Sequence, residues 1–519
     1  MNPALSDSLS ALPILLPLAG ALTCILLPPR HRAAAGLLTS ALTLLSASAL
    51  TWMLLTTGIS SQNLGGWPPP LGIQLRFDGL ACVFLLLTSL VGLPVGLHAA
   101  ALFRSQPGDD RASSPPLFWP LWLFLWAALN GIFISHDLFN LYVLLEIMGL
   151  AAVSLAILSG RPAALLAGLR YFLAALVGSM LYLLGVALVY GAAGSLDLGL
   201  LGEALPAGAI SVRVAFALII TGLLIKTAVF PLHFWLPEAH SAAPAPVSAI
   251  LSALVIKASF YVFLRLWVDV FDGSVTFAAG QAVGALGAVA VVWGSYQALR
   301  QSRLKRMVAH STVGQVGYMF LLFPLITLDP GAAAAAHGPP TWLGHAWTGG
   351  IYQALSHGFA KAAMFLAVGI FILAVGNDEK RSVTNMVGRL PMTTFAFALA
   401  GISLIGLPPS GGFVAKWMLL KATFSSQQWW WAPMIVWGSF LTAGYVFMIL
   451  RLAFAPAAEA PKKNLRPVPR ILEFTALALG VGAILIGLRA SEVMLLLDVG
   501  APFAEPVQPL TEPPGGADD

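Results

Sequence analysis

Charge is scarce in this sequence. Asp, Glu, Lys and Arg make up 9% of the 519 residues, while 58% are hydrophobic; soluble domains carry roughly a quarter charged residues. Water is therefore excluded as the main solvent, and the lipid bilayer takes its place. Cysteine is nearly absent as well. Cys24 and Cys82 each lie in an apolar run without partner spacing or a ligand cluster. That excludes a disulfide framework and a metal site and leaves two inert thiols. A Gly-rich phosphate loop, a CxxC pair and a soluble stretch of nucleotide-binding size are all missing, so the chain is expected to hold no cofactor and to do no redox chemistry alone. No basic n-region precedes the first apolar run between Met1 and Leu12, so that run is expected to be a genuine span, not a cleavable signal.

What is present fits helices in lipid. Fifteen Trp and 36 Pro are spread through apolar runs, a pattern of interfacial anchors and helix breaks, whereas a barrel alternates apolar and polar residues along short strands. A span needs about 20 apolar residues. By that measure fourteen runs stand out, near 9–28, 34–56, 78–103, 117–135, 138–159, 164–190, 212–235, 246–268, 275–298, 306–327, 345–375, 392–423, 430–454 and 471–497. The expected fold is all-α and polytopic.

The net charge of +5 and pI near 9.2 would suggest nucleic acid for a soluble protein. Here the basic residues sit in short loops and report orientation, and no nucleic-acid partner is expected. The loops after odd-numbered runs hold Arg30 and Arg32; Arg104 and Arg111; Arg161 and Arg170; Arg300, Arg303, Lys305 and Arg306; Lys380, Arg381 and Arg389; and Arg451, Lys462, Lys463, Arg466 and Arg470. The other side has only Arg76, Arg213, Arg265 and Arg489 at run edges. Because positive loops stay cytoplasmic, both termini are expected outside the inner (plasma) membrane, and the acidic tail ending in Asp518 and Asp519 agrees.

Two runs look interrupted. Pro231 and Pro237 fall within LLIKTAVFPLHFWLPEAH, and Pro408 and Pro409 within LIGLPPSGGF. Proline removes a backbone donor and clashes one turn back, so each should end or kink its helix at membrane depth. Broken helices five runs apart point to inverted repeats around an ion site. The expected organisation is runs 1–3 over 1–115, a first repeat over 116–270, a second over 271–455, and run 14 with the tail over 456–519.

Glu146, Lys226, Lys257, Lys361 and Lys416 fall inside apolar runs; Lys421, near a run's end, is expected to snorkel. Glu146 is about eight residues into its run, roughly 12 Å deep at 1.5 Å per residue. Each charge at a span's centre costs roughly 2.5–3.5 kcal/mol, so Glu146, Lys226, Lys257 and Lys416 together cost on the order of 10 kcal/mol. One alternative is a packing ion pair with the remaining lysines snorkelling, but one carboxylate cannot neutralise three ammonium groups. Desolvation favours a neutral lysine and a nearby carboxylate favours a charged one. A lysine between those influences loads and releases a proton. The expected roles are Glu146 tuning Lys226, Lys257 passing the proton laterally and Lys416 delivering it to the exit.

Histidine relays protons near neutral pH. Gln353, His357 and Lys361 follow one another at i, i+4 and share one helical face, which reads as the lining of a wet path over a purely structural contact. For His310, beside Ser311 and Thr312, a relay and a structural role stand level. His233 and His240 flank Pro237, where a proton entrance and ordinary loop hydrogen bonding are equal readings.

The stretches KTAVFPLHFWLPEAHSAAPAPVSAILSALVIKASFY, DLFNLYVLLEIMGL and HSTVGQVGYMF resemble the antiporter-like subunits shared by respiratory complex I, Mrp-type cation/proton antiporters and membrane-bound hydrogenases. The resemblance runs over nearly the whole chain. It implies a fourteen-helix fold with two inverted five-helix repeats and a polar axis, whose ionisable positions fall on Glu146, Lys226, Lys257 and Lys416. Lysine at the last of these is more similar to the D-type antiporter protein and its relatives, although EAHSAAPAP departs from the tyrosine-containing segment of typical Mrp proteins of that type. The expected partners are other membrane subunits, the bilayer, protons and, in an antiporter, Na+. Three readings compete: a D-type component of a cation/proton antiporter, the membrane arm of a complex I-like or hydrogenase assembly, and a passive scaffold in which the lysines are dispensable.

Overall fold

The computed structural model describes residues 10–104, 115, 117–206, 208–328, 340–456 and 466–503. Arg111, Lys462, Lys463, most of the stretch before Leu12 and the acidic tail lie outside them. With no water in the hydrocarbon to serve the backbone, each spanning segment must satisfy its own N–H and C=O groups, and these sequences do so as helices. They are α1 (Leu12–Leu26), α2 (Pro29–Thr57), α3 (Gly79–Arg104), α4 (Phe118–Ile134), α5 (Leu138–Ala156), α6 (Pro162–Ala193), α7 (Ile210–Thr227), α8 (Ala245–Val270), α9 (Phe277–Arg300), α10 (Leu304–Ile326), α11 (Thr341–Val375), α12 (Pro391–Ile405), α13 (Gly411–Ser425), α14 (Ala432–Phe454), α15 (Arg470–Leu488) and α16 (Ala490–Asp498). Among the described residues, eleven helical segments are long and apolar enough to cross a membrane, and three shorter apolar helices, α1, α4 and α12, fall on the remaining three runs. The chain is a polytopic all-α membrane protein. Its described sheet is one antiparallel hairpin, β1 (Ser60–Asn63) on β2 (Gln74–Phe77).

The helices are layered by burial. In α8 the most apolar stretch is wholly buried, and α10 nearly so, whereas only a third of the corresponding stretch is buried in α2 or α14. Close packing rests on small residues, as in other membrane helix pairs. A Cβ on Gly222 of α7 would meet the Gly178 carbonyl of α6 at 2.3 Å, and one on Gly317 of α10 would meet the Gly287 carbonyl of α9 at 2.3 Å. Lys257 lies on the wholly buried α8 and is itself 0% exposed.

Both interrupted runs are broken, and by the same backbone device. At the end of α7, Ala228 turns left-handed (φ 56°, ψ 43°) and the Val229 N–H reaches back to the Leu224 carbonyl at 3.2 Å. At the end of α12, Gly406 does the same (φ 89°, ψ 43°), with the Leu407 N–H on the Ile402 carbonyl at 3.1 Å. Each is a six-to-one closure of the last turn. Pro231 lies in the first break and Pro408 and Pro409 in the second. Pro237 corrects the expectation. It occupies the first turn of the short helix Leu236–Ala242, where the missing N–H has no partner to lose, so it starts a helix instead of breaking one.

Candidate functional site

Lys226 sits in the last turn of α7, at the break. Its ammonium lies 3.1 Å from the Glu146 carboxylate of α5, and Ser179 of α6 donates to the same oxygen. The lysine is buried and the carboxylate half-buried.

Lys257 is fully buried in α8, just after a turn widened to π-type spacing over Leu251–Val255. Such bulges free backbone groups from the helical ladder. The Lys257 ammonium donates to the Ser252 carbonyl in that turn and meets His357 Nδ1 of α11. Among the described residues no carboxylate pairs with Lys257, and no hydrogen bond joins it to the Glu146–Lys226 pair.

From His357 the polar stripe continues along α11 in both directions. Lys361, one turn on, donates to the Val308 carbonyl at 3.0 Å and to the Ser311 hydroxyl. Gln353, one turn back, donates to Gln315 Oε1 of α10 at 3.0 Å. Gln315 in turn donates to the Leu404 carbonyl at 3.2 Å and to Thr442 at 3.2 Å. Leu404 ends in the second break, where carbonyls lack a helical partner, and its oxygen also accepts from Lys416 at 2.9 Å. Lys416 is completed by the Ile405 carbonyl and the Ser439 hydroxyl, both at 2.9 Å, and lies 4.3 Å from the Tyr318 ring centre. Polar groups thus line up from Lys257 to Lys416 in two hydrogen-bonded segments, Lys257–His357 and Gln353–Gln315–Leu404 carbonyl–Lys416, set one turn of α11 apart; among the described residues His357 Nε2 has no hydrogen-bond partner.

The remaining histidines separate. His240 is buried against Phe365, ring centres 5.1 Å apart, in the electrostatic reach of Lys257, Lys305 and Lys361. His233 stacks on Phe230 at 5.6 Å. His310 belongs electrostatically with His233 and Arg306 and makes no hydrogen bond to the Lys257–Lys416 route.

Lys305, expected in a loop, is instead buried in the first turn of α10, donating to the Ala243 carbonyl beside His240. Helical spacing is the signal that could have found it: Lys305 and Thr312 are seven residues apart and share a face. Beside it, burial pushes the Asp378 carboxyl above its ordinary range, against the Lys305 N–H and the Lys305 and Arg303 charges. Arg265, expected at a run edge, is a buried partner of Asp78 and takes the Tyr261 hydroxyl as acceptor at 3.0 Å. That pair joins residues far apart in sequence, and no spacing signals it. Gln315, an uncharged amide, carries no sequence signal either.

Residues 135–442 match the family described as NADH:quinone oxidoreductase/Mrp antiporter, TM. The N subunit of NADH-quinone oxidoreductase from Desulforudis audaxviator is 35% identical over 451 residues, covering 83% of this chain and 85% of that protein. The D component of the Na(+)/H(+) antiporter from Bacillus subtilis is 30% identical over 497 residues, covering 94% and 96%. Among solved structures, a chain of the Mrp complex from Dietzia sp. aligns with a TM-score of 0.83 at 24% identity, covering 97% of this chain and 99% of that one; this is a likeness of fold.

Proposed function

The chain belongs to the NADH:quinone oxidoreductase/Mrp antiporter transmembrane family, and we propose that it moves protons along its buried lysine axis as the D-type member of a multisubunit monovalent cation/proton antiporter. The observation that supports this reading is the line of buried polar groups from Lys257 to Lys416, in which hydrogen bonds join Lys257 to His357 and Gln353 through Gln315 and the Leu404 carbonyl to Lys416, with one turn of α11 between His357 and Gln353. A packing role would not require Lys226, Lys257, Lys361 and Lys416 to be buried together when only Lys226 has a carboxylate partner, since each is desolvated at a cost. In this reading Glu146 tunes Lys226, Lys257 takes the proton inward, His357 and the α11 stripe carry it across, and Lys416 releases it. Lys361 and Lys305 lie beside the route with His240, a position suited to an entrance from the cytoplasm. Water reaching the helix breaks would bridge Lys226 and Lys257. The antiporter assignment follows the Bacillus subtilis relative, which covers nearly the whole chain.

A second reading, the membrane arm of a complex I-like quinone oxidoreductase, is favoured by the higher identity to the Desulforudis audaxviator protein. The proteins that copurify with the chain decide between them: small antiporter subunits support the first, iron–sulfur subunits the second. The arrangement into repeats over 116–270 and 271–455, and the placement of both termini outside the plasma membrane, belong to the same proposal. The test is Lys226→Ala in the assembled complex reconstituted into vesicles. Proton movement followed with an internal pH dye is expected to disappear, and full transport would overturn the proposal.

A further inference from the structure

On the face where the basic loops gather, a cavity of about 1490 Å3 opens between the ends of α9 and α14 and the connection from α11 to α12. Its wall carries Arg300, Arg303, Lys380, Arg381 and Arg451 against a single carboxylate, Glu379. Asp378 lies near Arg303, but its Oδ1 accepts from the Lys305 N–H at 3.0 Å. Two of the cations are partly engaged. Arg300 leans on Tyr296, 5.6 Å from its ring centre, and Lys380 donates to the Leu299 carbonyl at 3.2 Å. Among the described residues, Arg381 and Arg451 make no ion pair. Clustered cations this close repel one another, and a site that keeps them together calls for an anion.

The second observation is the surface beneath the cavity. Phe440, Phe447 and Phe454 are 67%, 56% and 62% exposed on α14. They recur every seven residues and so form one ridge along the helix axis, with steps of about 10 Å. Phe447 and Phe454 also line the cavity. A charged pocket thus passes directly into an apolar strip that runs in the direction of lipid chains. A lone inorganic anion would leave most of the volume and the whole ridge unused, since a water's share of liquid is only about 30 Å3.

We propose that this groove binds an anionic phospholipid, its phosphates held by Arg381, Arg451 and their neighbours and one acyl chain lying along the Phe440–Phe454 ridge. Basic pockets between helices on the cytoplasmic side suit such headgroups. The site is distinct from the proton route and stands whether or not that route conducts.

The test is native mass spectrometry of the full chain in detergent, titrated with tetraoleoyl cardiolipin or with dioleoyl phosphatidylcholine. Arg381→Gln combined with Arg451→Gln is expected to weaken cardiolipin retention by on the order of tenfold or more, with phosphatidylcholine unchanged. Lysine at both positions should restore most of the retention. Equal cardiolipin retention in the glutamine variant would overturn the proposal. So would displacement of cardiolipin by millimolar inorganic phosphate, which would mark a free-anion site. A photoreactive residue at Phe447 in the native membrane should capture lipid; capture of a protein instead would make the groove a protein–protein contact and refute the lipid assignment.

Discussion

The two broken helices end alike and hold their lysines differently. At the first break the freed carbonyls are occupied by the chain itself: the Trp235 indole donates to the Ile225 oxygen at 3.0 Å. Lys226 therefore turns to a carboxylate, Glu146, at 3.1 Å. At the second break the freed oxygens of Leu404 and Ile405 are given to Lys416, with Ser439 as a third acceptor. One lysine is balanced by an opposite charge and the other by dipoles. A charge pair holds its proton against the pull of burial, whereas dipoles alone stabilise an ammonium less. In the proposed proton route the first position is the loading site and the second the releasing one.

Three changes would break or sharpen this contrast. The largest effect is expected from Glu146→Gln. Stripping a buried ion pair of one partner costs about 3–5 kcal/mol in full burial. With the carboxylate partly exposed we expect about 2–3 kcal/mol, hence roughly a hundredfold fall in proton flux through the reconstituted complex. Flux within a factor of about two of the parent would mean that Lys226 needs no counter-charge. Gly406→Ala comes next. Its Cβ would meet Lys416 Cδ at 2.7 Å and the residue would keep φ near 89°, so a loss of about 2 kcal/mol is expected. That should appear as a lower thermal midpoint of the full chain in detergent. An unchanged midpoint would show that Lys416 has room to move aside. Ser439→Ala is the mildest. It removes one of three acceptors, worth about 1 kcal/mol, and should change flux about fivefold with a smaller fall in the thermal midpoint than Gly406→Ala gives.

The legible part of the site is the part whose placement is expensive. Glu146, Lys226, Lys257 and Lys416 stand out because a charge within an apolar run is unfavourable on its face, and the i, i+4 rule aligns Gln353, His357 and Lys361 without any knowledge of the fold. Lys305 escapes because a cation near a loop reads as interfacial until α10 is seen to begin at Leu304. The Arg265–Asp78 pair depends on α8 and α3 meeting, which no local pattern encodes. Pro237 misleads for a related reason: a proline is equally at home just after one helix or in the first turn of the next, and only the position of Leu236 decides. Most runs fall on a single helix, since hydropathy separates lipid-compatible helices from loops, but the seventh continues past the end of α7 and the twelfth takes in α12, the break and α13.

The Leu404 carbonyl has two lone pairs, and two donors use them: the amide of Gln315 and the ammonium of Lys416. When that ammonium swings away the oxygen is left to the amide alone, and when it gives up a proton two donors remain for three acceptors; either way the pull on Gln315 changes although no formal charge has crossed to it. The same amide is fastened through Gln353 to the helix that carries His357. In the proposed route a change at the last lysine would therefore be felt backward along neutral dipoles, opposite to the proton.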